Sequence, residues 1–103
     1  MNAVGNHFER TSLHCAAVHG DVGVVKVLLR NGADVNAVSN QKLTALHLGA
    51  GNGHVEIVKF LIQNGANVND VDDSWENGTP LYLARQSGHT EIVTILFENG
   101  AVK

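Results

Sequence analysis

The stretch Thr11-Ser-Leu-His-Cys-Ala-Ala-Val-His-Gly20 recurs in register, first as Thr44-Ala-Leu-His-Leu-Gly-Ala-Gly-Asn-Gly53 and again as Thr79-Pro-Leu-Tyr-Leu-Ala-Arg-Gln-Ser-Gly88. Each copy runs on into an apolar segment that closes on the same three residues, at Asn31-Gly32-Ala33, Asn64-Gly65-Ala66 and Asn99-Gly100-Ala101. The first two threonines are 33 residues apart and the second two 35. A period of that length marks a stacked array of small units, none of which can bury its apolar face alone. About three units are needed for such an array to be stable. This chain carries three.

Within each copy the threonine precedes a short apolar stretch, where a hydroxyl can accept a bond from an otherwise unpaired helix amide. Pro80, the only proline, stands at the first helical position, where its missing N–H is no loss. Each first helix should run about eight residues and stop at Gly20, Gly53 or Gly88, and each second helix at Gly32, Gly65 or Gly100. Helices this short are unstable alone. The second helices carry the burial. Val24, Val25, Leu28 and Leu29 correspond to Ile57, Val58, Leu61 and Ile62 and to Ile92, Val93, Leu96 and Phe97, a spacing that places four apolar residues on one helical face. The connections Ala33–Leu43 and Ala66–Gly78 are polar and too short for another helix, so an extended loop or hairpin is expected there.

The repeated Thr-x-Leu-His, together with Gly53-His54-Val-Glu-Ile-Val-Lys-Phe-Leu-Ile-Gln-Asn-Gly-Ala-Asn-Val-Asn69, closely resembles the ankyrin repeat, over roughly residues 6–103. The resemblance implies an all-α solenoid of helix-turn-helix units joined by β-hairpin-like fingers, with units at about 6–38, 39–71 and 72–103 in one domain. It further implies protein binding through the fingertips and the concave face of the first helices. Carried onto this chain, the contact positions are His7, Phe8 and Arg10; Val18 and His19; Asn40, Gln41 and Leu43; Asn52; Ser74, Trp75 and Glu76; and Gln86 and Ser87. In the family the histidine of Thr-x-Leu-His, here His14 and His47, ties helix to finger. The chain departs from the pattern at several places. Gly49 and Gly51 stand inside the first helix of the middle unit, Arg85 replaces a small residue, Tyr82 replaces the motif histidine, and Lys42 stands where a turn glycine is typical. Each helical glycine costs about 1 kcal/mol against alanine, so the middle unit is expected to be locally soft.

Composition narrows the function further. Seven Lys and Arg against ten Asp and Glu leave a net charge of -3, which offers no field for nucleic acid or an anionic membrane. A single cysteine, Cys15, rules out an intramolecular disulfide, and no long apolar run or signal-peptide pattern is present. An intracellular protein, cytoplasmic or nuclear, is expected; so is a monomer, with end-to-end stacking open to it. Met1-Asn2-Ala3-Val4 reads like the tail of a preceding unit, and Gly100-Ala101-Val102 like the start of another finger, so a structural segment of a longer array is the alternative to a binding module.

Several patterns imitate chemistry. Gly49-Ala-Gly51-Asn-Gly53 resembles a dinucleotide-binding loop, but the third glycine of that fingerprint would fall at His54. Aligned on its sister copies, the stretch is a helix and its stop, and no cofactor is expected. Of the six histidines, four belong to repeated motif positions (His14, His47, His54, His89), and none shows zinc-ligand spacing with cysteine partners. Asp70, Asp72, Ser74 and Glu76 alternate like a calcium loop, yet Trp75 holds the sharp-turn glycine position and Leu81 the twelfth. Cys15 has His14 and His19 nearby but no third group to orient a base. No catalytic constellation emerges. The sequon Asn77-Gly78-Thr79 would matter only in a secreted chain.

What remains is an interaction surface. Trp75, set among acids in the longer second finger, has the chemistry of an anchor for a basic partner protein. Asn36 and Asn69 stand at a position that ankyrin repeats offer to asparaginyl hydroxylation. The structural reading is a turn residue bonding its own backbone.

Overall fold

The fold is described from a computed structural model, for residues 11–39, 41–71 and 78–102. Six helices follow one another: α1 (Ser12–His19), α2 (Val22–Arg30), α3 (Ala45–Gly51), α4 (Val55–Gln63), α5 (Pro80–Gln86) and α6 (Thr90–Glu98). They form two layers. α1, α3 and α5 pack side by side in one, while α2, α4 and α6 make the other, and each helix packs on its sequence partner.

The local signals explain both ends of every helix. Thr11, Thr44 and Thr79 are the N-caps of α1, α3 and α5, and their hydroxyls accept the backbone N–H of His14, His47 and Tyr82 at 3.1–3.3 Å. At the other end of α2, the N–H of Ala33 donates to Leu28 O and that of Gly32 to Leu29 O, with Gly32 left-handed at φ 89°. This paired closure repeats around Gly65 and Gly100, and equivalents close the inner helices at Gly20, Gly53 and Gly88. The asparagine before each outer-helix glycine adds a second lock. Asn31, Asn64 and Asn99 each donate from Nδ2 to the carbonyl four residues back, at 2.7–2.8 Å.

The fingers contain no strand among the described residues. The first is hairpin-like at one point, where Ser39 N–H donates to Leu43 O across three residues and Lys42 N–H to Ser39 O. Lys42 takes the left-handed conformation, φ 62°, that ends such three-residue loops and usually selects glycine.

Burial departs from the four-per-helix pattern at the two end units. In α4, Ile57, Val58 and Leu61 are buried and Ile62 is half-buried, but Val24 of α2 is 42% exposed and Phe97 of α6 is 44% exposed. Their positions explain the difference. Ile57 and Ile92, with a unit before them, are fully buried where Val24 is exposed, and Leu29 and Ile62, with a unit after them, are half-buried where Phe97 is exposed.

Small residues let the inner layer close up. Ala16, Ala17, Ala50 and Ala84 are buried along it, and Gly49 takes the place of Ala16 and Ala84 in the middle helix. A Cβ at Gly49 would make only ordinary contacts, 3.4 Å from Ile57 Cγ2 and 3.6 Å from Val58 Cγ2. Gly51 is no more confined. Its φ is not left-handed, and a Cβ there would make an ordinary contact, 3.6 Å from Leu83 Cβ. Gly51→Ala is therefore expected to stabilise the chain by about 0.5–1 kcal/mol, read as a higher urea midpoint at unchanged slope. A lower midpoint would show that the helix does not tolerate a side chain at that position.

Candidate partner-binding surface

The inner-layer helices pack more closely on one another than the outer-layer helices do. α1, α3 and α5 thus form the more closely packed, inner layer.

On that side the structure brings part of the expected contact set together. His19, Asn52 and Ser87 occupy equivalent positions at the C-terminal ends of α1, α3 and α5, and all three are exposed. They make a polar row across the stack. Val18 and Gln86 flank it, half-buried and exposed respectively, with Gly51 between them in the repeat. On the first finger Gln41 is exposed and Leu43 half-buried. His7, Phe8, Arg10, Asn40, Ser74, Trp75 and Glu76 lie outside the described residues, as do Asp72 and Asn77. Asp70, at the base of the acidic finger, accepts Asn67 Nδ2 at 2.7 Å.

Two exposed residues escaped the sequence reading. Val38 and Val71 hold the same position in successive fingers and are 52% and 49% exposed. Their signal was available: both are apolar residues in otherwise polar connections that no helical period accounts for. They put apolar surface on the fingers.

The motif histidines are structural. Thr11 N–H donates to His14 Nδ1 at 3.1 Å, so the ring proton sits on Nε2, which donates to Leu43 O at 2.7 Å. His47 repeats the arrangement with Thr44 N–H and Gly78 O, at 3.1 and 3.0 Å. The bond from ring to finger is the one the family resemblance implies. The second histidine pair has a role the sequence did not reveal. His54 Nε2 donates to Val18 O at 3.0 Å, and its ring lies over Gly20 so closely that a Cβ there would come within 2.7 Å. His89 lies over Gly53 in the same way. Each is a key from one unit into the glycine stop of the unit before it.

The asparagine reading needs correction. The turns are closed by Asp34 and Asn67, whose side-chain oxygens accept the N–H of Asn36 and Asn69 at 2.9 and 3.0 Å. The Asn36 and Asn69 side chains reach onward instead. Asn36 Nδ2 donates to Gly65 O at 3.1 Å and its Oδ1 accepts Asn67 N–H at 2.8 Å; Asn69 pairs likewise with Gly100 O and Val102 N–H. They splice consecutive loops.

On the opposite, outer side, an open groove of about 310 Å³ runs between α2 and α4, lined by Val22, Lys26, Glu56, Lys59, Phe60 and Gln63. Lys26 Nζ stands 5.7 Å from the centre of the Phe60 ring. Among the described residues, no group of three or more His, Cys, Asp or Glu is placed to hold a metal ion, and no helix is long and apolar enough to cross a membrane.

Paired helices in two layers, spliced by fingers and keyed by histidines, define a helical-repeat solenoid. The family described as "Ankyrin repeats (3 copies)" matches residues 13–103, and the chain belongs to that family. Ankyrin repeats are generally protein–protein interaction modules and are typically non-catalytic. A search of curated proteins returns no match.

Proposed function

We propose that this chain is a non-catalytic interaction module that holds a partner protein against the inner face of α1, α3 and α5 and the adjoining fingers. The observation that supports this reading most is the exposed row His19, Asn52 and Ser87, carried on a layer that is otherwise packed with small residues. A rigid row of this kind offers polar contacts at little ordering cost. The exposed Val38 and Val71 add apolar contact from the fingers, and Trp75, on its chemistry alone, adds an aromatic anchor. The acids around Trp75 favour a basic partner surface.

Affinity capture followed by calorimetry on the retained protein tests the reading. Trp75→Ala and Phe8→Ala are each expected to weaken binding by about 1–3 kcal/mol. Asn52→Arg, at the centre of the polar row, should weaken it as well. Glu56→Lys and Lys59→Glu, in the outer groove, should change it little. The reverse ranking would place the interface on the outer helices. A second reading, a structural segment of a longer array, is favoured by the exposure of Val24 and Phe97 at the two end units.

A further inference from the structure

The charges of the outer layer are sorted by unit. α2 carries Lys26 and Arg30 and no acid, α4 carries Glu56 and Lys59, and α6 carries Glu91 and Glu98 and no base. All six are exposed. In α4, which has a unit on either side, the same helix positions hold Glu56, Lys59 and Gln63, and these are exposed too, so this face stays open to solvent wherever a unit lies in the stack. Asp21, just before α2, is its cap and accepts Val24 N–H at 3.2 Å.

The two outer joints therefore differ. The groove between α2 and α4 takes Lys26 from one wall and Lys59 from the other, against a single acid, Glu56. The equivalent positions between α4 and α6 are Val55, Lys59, Glu91, Thr94, Ile95 and Glu98, two acids against one base. Apolar surface differs as well. Phe60 is half-buried and lines its groove, while its equivalent Ile95 is buried. The face of the Phe60 ring draws the Lys26 ammonium to 5.7 Å from its centre, so a base and an aromatic surface are presented together.

We infer that the groove between α2 and α4 docks an acidic segment of a second protein, one in which carboxylates flank an apolar side chain. The carboxylates pair with Lys26 and Lys59, and the apolar side chain rests on Phe60 and Val22. Arg30, one turn beyond Lys26, extends the basic side along α2. The net charge of -3 does not oppose this, because exposed charges more than about 8–10 Å away are largely screened at moderate salt and the groove acts on its own. Exposed ion pairs are individually weak, so the segment binds loosely and leaves as salt rises. This surface is independent of the inner one. With a basic partner inside and an acidic segment outside, the chain bridges two proteins of opposite charge.

Amide-shift mapping by NMR on the full chain, titrated with a synthetic peptide of glutamates around a pair of leucines, tests this. Saturable shifts are expected at Val22, Lys26, Phe60 and Gln63, and not along His19, Asn52 and Ser87. Lys26→Glu and Lys59→Glu should each weaken the peptide about fivefold, and Glu56→Gln, which removes the acid of the groove, should strengthen it about twofold. All three side chains are exposed, so the fold should be kept. A peptide with glutamine in place of every glutamate should not bind, and about 1 M salt, which shortens screening to ~3 Å, should release the acidic one. Asn52→Arg should leave the titration unchanged, so loss of the inner partner and loss of this site are read separately. No saturable shift up to millimolar peptide, binding indifferent to both lysine variants, or equal binding of the glutamine peptide would overturn the inference. So would shifts at the groove caused by anionic lipid vesicles and not by the peptide, which would assign the face to a membrane.

Discussion

His47→Ala is expected to lower the stability of the chain by about 3–4 kcal/mol, a large part of the roughly 5–15 kcal/mol that a domain usually has. The ring is fully buried, and its bonds include two of opposite sense, one accepted from Thr44 N–H and one donated to Gly78 O. Truncation removes the ring's bonds to both backbone groups at a buried site and opens a cavity between helix and finger, so the polar and packing losses add. Urea denaturation gives the size of the loss. Hydrogen exchange at the Thr44 amide gives its location, since protection there should fall even under conditions where the chain stays folded. A loss under about 1 kcal/mol would mean that water replaces the ring, and that the finger is not held by it.

Gly53→Ala should cost about 2–4 kcal/mol, but Gly88→Ala only about 1 kcal/mol, although the two glycines have nearly the same left-handed backbone, φ 79° and 77°. The backbone term is common to both. The difference is the His89 ring, whose Cε1 would lie 2.7 Å from the new Cβ at position 53, against open space at position 88. Combining Gly53→Ala with His89→Ala should recover the steric part, which a double-mutant cycle reads directly as a coupling between neighbouring units. Equal costs at the two glycines would show that the histidine keys do not bear on the glycine stops.

The fold was legible from the chain because each local signal repeats three times in phase. Threonine caps, glycine stops and the outer-helix apolar face can each be read within a single unit, and the structure agrees on all three apart from Val24 and Phe97 at the ends. What was not legible depends on a neighbour. Nothing within one unit says that His54 points back to Gly20, or that Asn36 reaches forward to Gly65 instead of folding onto its own turn. The binding surface shows the same division. The position of His19, Asn52 and Ser87 at one face follows from the repeat, while the exposure of Val38 and Val71 depends on how the fingers leave the stack. Trp75, the strongest anchor candidate by chemistry, lies outside the described residues.

The hydrogen bonds that join successive units through His14, Asn36, His47, His54 and Asn69 span 29 to 36 residues of chain. Every such closure therefore costs about the same loop entropy, however many units precede or follow it. Folding can begin at any adjacent pair and spread outward, and its rate should depend little on array length. Under tension applied at the two termini the order reverses. With each splice reaching only the adjoining unit, the chain should give way as a ratchet of near-equal extensions, one helix pair at a time, instead of rupturing in a single step.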